Sequence, residues 1–219
     1  MVELSYPAKN AYQSKRAAET YDRRRFKSLK GKWLDAREKR IIGELLEYLS
    51  QGSQILDLAC GTGRIAEFLL SKGYRVCGAD ISSQMLKVAK ERLSNFGESI
   101  EFHKADAERL PFEEKQFDSA TCFRLMGHIP PEIRVKILRE LKRVTKGPFI
   151  VAYYLSEPIE NAKRKIRKFI TEDKSPWFPV SRKNLREELS QVNLRIVEEK
   201  PLIRYLSQTL ILLLDRGPK

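Results

Sequence analysis

The sequence predicts an α/β fold: a seven-stranded, mostly parallel sheet with helices on both faces and an antiparallel C-terminal strand. Three observations predict it. Short apolar segments alternate with helical ones from residue 54 to residue 155. A strand runs directly into a glycine turn and a helix start between Ile55 and Ala66. The last two strand-like segments, unlike the others, follow each other with only a loop between them.

The elements follow in order. Residues 9–26 are polar, basic and helix-permissive, and residues 36–49 place Ile41, Ile42, Leu45, Leu46 and Leu49 at helical spacing. A turn at Ser50-Gln51-Gly52-Ser53 ends this region. Residues 54–59 form a first strand, and a helix over 64–72 is closed by Gly73. A second strand over 74–79 leads to a helix over 83–93, which Ser82 or Ser83 can cap. Residues 100–105 alternate with period two as a third strand, 117–122 are a fourth, 131–145 a helix and 148–155 a fifth strand. A helix over 182–191 precedes strands over 194–198 and 208–215. Their connection is too short for a helical crossover, which implies an antiparallel pair at one edge.

Composition narrows the function classes. With 219 residues, 42% hydrophobic, the chain is long enough for a substantial core, and its longest apolar stretches fall far short of the ~20 residues that cross a bilayer. The N-terminal residues lack the basic start and apolar run of a secretory signal, so a cytoplasmic location is expected. Cys60, Cys77 and Cys122 sit singly in apolar runs and read as small buried hydrophobes. The net charge of +13 is uneven: residues 1–50 and 156–219 carry +5 each, while residues 51–155 carry only +3. Positive charge of this size suits nucleic acid, anionic lipid or an acidic substrate.

The strongest local signal is Ile55-Leu56-Asp57-Leu58-Ala59-Cys60-Gly61-Thr62-Gly63-Arg64-Ile65-Ala66. Gly61 and Gly63 let a ligand approach the backbone, and the following helix offers free N–H groups. The loose match to a dinucleotide fingerprint is weak by itself. Asp57 stands near the end of the strand, where its charge would repel phosphates and suit an ammonium group. Asp80 and Asp106 occupy the ends of the second and third strands, the edge at which open α/β sheets bind ligands. Asp80 is placed to take ribose hydroxyls and Asp106 an adenine amino group. An amine-bearing nucleoside without phosphates fits all three, and S-adenosylmethionine meets that description.

In order, Leu56-Asp57-Leu58-Ala59-Cys60-Gly61-Thr62-Gly63, Gly78-Ala79-Asp80-Ile81-Ser82, Ala105 to Phe112, Phe117-Asp118-Ser119-Ala120 and Leu141 to Gly147 resemble a class I S-adenosylmethionine-dependent methyltransferase. Within that class the chain is similar to the type 11 branch, which includes ubiquinone and menaquinone C-methyltransferases. The resemblance covers roughly residues 50–155 in detail. It implies a Rossmann-like fold with an N-terminal helical lid, and S-adenosyl-L-methionine as cofactor. It further implies that the loop from Asp57 through Ala59 and Gly61 to Gly63 holds the methionine moiety and Asp80 the ribose. Ile81 and Met85 would take the adenine faces, and Asp106 with the Ala107 N–H the adenine edge. Phe123 and Arg124 would line the side from which substrate approaches. Residues 1–50 correspond to the lid, 51–155 to the cofactor-binding core, 156–180 to a substrate-cap insertion, and 181–219 to the C-terminal helix and strand pair.

Further candidates lie around this core. His128 follows the fourth strand and reads either as a general base or as a ring packed under the cofactor. His103 falls within the third strand and reads as structural. Tyr21 in the lid is a candidate to face the methyl end. Arg23, Arg24 and Arg25 read as a grip on an anionic substrate or as a solvated face. Ile159, Ala162, Ile166 and Phe169 or Ile170, among Lys163 to Lys168, make a basic amphipathic helix that caps the pocket, lies on an anionic membrane or follows a phosphate backbone. Ser175 to Val180 adds aromatics for a pocket wall or for packing. No Asn-Pro-Pro-Tyr or Asp-Pro-Pro-Tyr tetrapeptide follows the fourth strand, and Cys122 lacks a second catalytic cysteine, which weighs against base methylation. The expectation is methyl transfer to an oxygen, nitrogen or carbon of a small or lipid-like molecule. RNA as substrate and a non-catalytic binding subunit are the alternatives. No residues mark a metal site, and oligomeric state is not legible.

Overall fold

The structure is a computed structural model, and it describes residues 15–156, 177–203 and 207–218. Within these the chain runs α1 (Lys15–Phe26), α2 (Leu29–Leu45), β1 (Gln54–Leu58), α3 (Arg64–Ser71), β2 (Arg75–Asp80), α4 (Ser83–Arg92) and β3 (Ile100–Lys104). It continues through β4 (Ser119–Cys122), α5 (Pro131–Val144), β5 (Phe149–Tyr154), α6 (Arg182–Gln191), β6 (Leu194–Pro201) and β7 (Thr209–Arg216). The seven strands form one sheet in the order β3-β2-β1-β4-β5-β7-β6. Strands β1 to β5 pair in parallel, and β7 pairs antiparallel with both β5 and β6. Strand order reverses between β1 and β4, the switch point at which such sheets open a crevice beyond their carboxyl ends.

Alternation along the strands explains why both faces are covered. In β5, Phe149, Val151 and Tyr153 join the core beneath α5 and α6, whereas Ile150 and Ala152 join the core beneath α2 and α3. In β7, Leu210, Leu212 and Leu214 face one side and Ile211 and Leu213 the other. A strand buried on both faces reads as a continuous apolar run, the pattern that marks Phe149 to Tyr154. The edge strand β6 instead carries Arg195, Glu198, Glu199 and Lys200 and a register shift between Ile196 and Glu198, features that discourage pairing with another chain. All three cysteines are buried and free, as expected.

Several boundaries differ from expectation. Helix α2 starts at Leu29 rather than at residue 36, because the Ser28 hydroxyl accepts from the Gly31 N–H at 3.0 Å and caps it. Strand β4 starts at Ser119, with Phe117 making only an isolated bridge to Thr145. Strand β6 runs on to Pro201, because β7 offers it partners as far as Leu210. The basic segment 159–170 lies outside the described residues.

Candidate functional site

The carboxyl ends of β1, β2 and β4 and the loops that follow them enclose a cleft of about 1060 Å³, open solvent at its mouth included. Asp57, Ala59, Gly61, Asp80, Ile81, Met85, Asp106, Ala107, Phe123, Arg124, His128 and Tyr21 all line it. Gly63, which the resemblance places in the cofactor loop, does not.

The turn after β1 owes its shape to three left-handed residues, Ala59 (φ 58°), Gly61 (φ 54°) and Gly63 (φ 80°). The two glycines serve different ends. A β-carbon on Gly61 would meet no protein atom within 4 Å. A β-carbon on Gly63 would lie 2.9 Å from Leu93 Cδ1 and 3.2 Å from Ala89 Cβ. Gly63 therefore lets α4 pack against the start of α3, whereas Gly61 keeps the cleft side of the loop clear. Ala59 holds a conformation that costs an L-residue about 1–2 kcal/mol, strain of the kind that collects at ligand sites.

Acidic groups dominate the floor. Asp57 is 2% exposed; its Oδ1 accepts from Thr121 Oγ1 on β4 at 2.8 Å, and its Oδ2 has no hydrogen-bond partner among the described residues. Burial outweighs the Thr121 hydrogen bond and the nearby Arg64 charge, and pushes the Asp57 carboxyl up to about 7. Asp80 is clasped by backbone, with Gly61 N–H donating to Oδ2 at 2.9 Å and Ser82 N–H to Oδ1 at 2.8 Å. Burial raises its pKa, and these N–H groups oppose the shift. Asp106 Oδ1 accepts from the Glu108 N–H at 3.0 Å, which fixes the turn after β3.

Helices α1 and α2 are tied to this floor. Asp22 of α1 accepts from Thr62 Oγ1 at 2.9 Å and pairs with Arg92 of α4 at 2.6 Å, and Arg92 also donates to the Thr62 carbonyl at 3.1 Å. From α2, Asp35 and Glu38 bind Arg64, and Glu38 also reaches Arg124 at 3.2 Å. The Phe26 ring carries both guanidinium groups, Arg64 at 4.9 Å and Arg124 at 5.2 Å from its centroid. Arg124 itself has φ 60°, and its buried Nε finds no acceptor among the described residues. Burial is the largest influence and disfavours its charge, but Glu38, Tyr154 and Tyr21 together outweigh it and raise the Arg124 pKa.

Behind His128, outside the lining of the cleft, stands an aromatic cluster. His128 meets Trp177 edge-on with ring centroids 5.1 Å apart, and Trp177 lies 4.6 Å from Tyr154. Gly127 allows this, since a β-carbon there would fall 2.6 Å from Trp177 and 2.7 Å from Tyr154. A buried ion pair fixes the assembly from outside the cleft. Arg134 Nε donates to Glu188 at 2.9 Å, and Nη1 donates to the carbonyls of Ile129 at 2.9 Å and Phe178 at 3.0 Å. The Tyr153 hydroxyl donates to Glu188 at 3.1 Å. Sequence reading missed this pair, along with Asp22, Glu38 and Thr62. One signal was available for Arg134 alone: it interrupts the apolar stripe of α5, so its charge had to be buried or the stripe broken.

These groups fit an amine-bearing nucleoside. The unpartnered oxygen of Asp57 calls for a donor, Asp80 keeps lone pairs for a diol, and Ile81 and Met85 offer apolar faces. Pyrophosphate would be repelled by Asp57 and Asp80.

Residues 55–147 match the family described as a methyltransferase domain. Demethylmenaquinone methyltransferase of Clavibacter sepedonicus is 38% identical over 116 residues, which cover 52% of this chain and 46% of that protein. Ubiquinone biosynthesis O-methyltransferase of Aromatoleum aromaticum is 34% identical over 80 residues, 36% of this chain and 34% of that protein. The chain thus matches less than half the length of these two relatives. Magnesium protoporphyrin IX methyltransferase from Synechocystis PCC 6803, solved with bound SAH, superposes with a TM-score of 0.75 at 16% identity, covering 96% of this chain and 98% of that one. At that identity the likeness concerns the fold.

Proposed function

We propose that the protein is a class I methyltransferase dependent on S-adenosylmethionine, the reading that the match of residues 55–147 to a methyltransferase domain supports, and that it transfers a methyl group to an oxygen, nitrogen or carbon of a small or lipid-like acceptor. The observation that carries the reading is the buried, unpartnered Asp57 oxygen at the floor of a cleft whose other acids, Asp80 and Asp106, stand at successive strand ends. When bound, S-adenosylmethionine supplies an electrophilic methyl group on a sulfonium centre. The chain's own work is then placement and exclusion of water.

Asp57, ionised on pairing with an ammonium group, orients the amino-acid end of the cofactor. Asp80 accepts from the ribose hydroxyls while Gly61 and Ser82 hold its carboxylate still. Ile81 and Met85 sandwich the base, and Asp106 and the Ala107 N–H read its edge. Tyr21, Arg124, Phe123 and His128 surround the acceptor. His128 takes a proton from an acceptor hydroxyl, or else its ring packs beneath the ligand; a pH profile of the His128→Gln variant separates these roles. In this reading residues 1–50 supply the lid, 51–155 the cofactor site, 156–180 acceptor selection and 181–219 the closing strands.

The acceptor class rests on the aromatic groups. Phe123 lines the cleft and His128 is backed by Trp177 and Tyr154, a setting suited to a planar ring, and one similar protein is named for ubiquinone biosynthesis. Transfer to RNA is the second reading, favoured by the +13 net charge concentrated outside the domain core. Incubation with methyl-labelled cofactor and fractionated lysate tests both. Label in the lipid or small-molecule fraction supports the first reading, and label in RNA the second. No label in any fraction, with the cofactor bound, points instead to a non-catalytic subunit. No helix among the described residues is long and apolar enough to cross a membrane.

A further inference from the structure

Helix α2 buries one face and leaves another face apolar. Gly31, Glu38, Ile41, Ile42 and Leu45 turn inward, and Leu34 packs on the same core. On the outer side, Leu29, Trp33 and Ala36 follow one another at i, i+4 and i+7 and form a single stripe. Leu29 is 86% exposed and Trp33 52%, the two most exposed large hydrophobic residues described. Scattered apolar side chains are ordinary on a surface, but adjacent ones on a helix's solvent face are not explained by packing.

Charge identifies the occupant. Lys27, Lys30 and Lys32 flank the stripe and are exposed, and Arg37 lies 5.9 Å from the Trp33 ring. From residue 23 to residue 34 the chain has six basic residues and no acidic one. Apolar side chains set between cations suit an anionic bilayer, whose headgroups take the lysines while Leu and Trp enter the acyl boundary. Nucleic acid would satisfy the lysines and could stack on Trp33 but offers nothing to Leu29. The corner also borders the cleft: Phe26, three residues before Leu29, carries the two arginines of the cleft wall.

We propose that the α1–α2 corner docks the protein on anionic membranes, with Leu29 and Trp33 entering the interface and Lys27, Lys30 and Lys32 binding headgroups. This stands apart from the segment 159–170 and does not depend on which acceptor is methylated. The test is co-sedimentation of the full chain with phosphatidylcholine vesicles, with and without phosphatidylglycerol. Binding is expected only to the anionic vesicles and is weakened by roughly 0.5 M salt. Leu29→Ser/Trp33→Ser, which removes only exposed side chains and so leaves folding intact, should bind at least about tenfold more weakly. Each of Lys27→Gln, Lys30→Gln and Lys32→Gln should cost about fivefold. Bromine-labelled acyl chains should quench wild-type tryptophan emission and spare that of Trp33→Ser. Failure to bind anionic vesicles overturns the proposal. So does wild-type binding by the double serine variant, or retention of single-stranded RNA in place of vesicles.

Discussion

Gly61→Ala and Gly63→Ala look alike in sequence, two residues apart in one turn, yet the structure assigns them opposite consequences. Both residues have positive φ, so alanine costs about 1–2 kcal/mol of backbone strain at either position. At Gly63 the new methyl group also meets Leu93 Cδ1 at 2.9 Å and Ala89 Cβ at 3.2 Å, and overpacking of this kind adds about 1–3 kcal/mol. Gly63→Ala should therefore lose about 3 kcal/mol, lowering Tm by roughly 6–12 °C, and Gly61→Ala about half of that. Affinity should run the other way. The Gly61 methyl group projects into open space beside the cleft, where it weakens S-adenosylmethionine binding at least about tenfold. Gly63→Ala, assayed well below its Tm, should bind within about threefold of wild type. Differential scanning calorimetry and titration calorimetry on the same preparations decide the matter. Equal destabilisation of the two variants, or lost binding in a folded Gly63→Ala protein, would refute the assignment.

Three further perturbations test other parts of the account. The folded-state pKa of Asp57 is raised above its ordinary value, so the folded state holds a proton there that the unfolded chain releases. Stability of the ligand-free protein should fall as pH rises from about 4 to about 7, by up to about 4 kcal/mol, and then level off. Asp57→Asn should flatten that profile and raise Tm above pH 7 while weakening cofactor binding; an unchanged pH profile would count against it. Replacing Arg134 by methionine strands the Glu188 carboxylate and should cost about 3–5 kcal/mol in urea unfolding. Arg134→Met/Glu188→Leu should recover much of that loss. Asp22→Ala removes the bond to Thr62 and the partly exposed pair with Arg92, so stability should change by about 1 kcal/mol or less, while stopped-flow dissociation of S-adenosylhomocysteine should quicken several-fold. Unaltered dissociation would mean that the lid is not held there.

What the sequence disclosed follows from range. The β1 turn and the strand-end acids are local patterns with a local physical cause, and the structure places them together at the carboxyl end of the sheet. Helix α2 was misjudged at its start because Gly31 and the lysines around it are poor helix signals. Its cap at Ser28 and its packing on the core are tertiary facts. Gly63 carried the same local signal as Gly61, and only the approach of α4 tells them apart. The Asp22–Thr62–Arg92 and Arg134–Glu188 contacts join residues 30 to 70 positions apart, a distance at which charge and spacing carry no information. Trp33 and Leu29 fall before the helix that periodicity gives at residues 36–49, so their shared outer face is visible only once α2 extends back to Leu29.

The central claim is that the cleft holds S-adenosylmethionine through Asp57 and Asp80. Titration calorimetry of S-adenosylmethionine into the wild-type chain and into Asp80→Ala, across pH 5.5 to 8, tests it most directly. A single site is predicted, with affinity falling by up to about tenfold per pH unit below about 7 as Asp57 takes up its proton, and with binding abolished in the variant. No binding to the folded wild-type protein, or equal binding by Asp80→Ala, would contradict it.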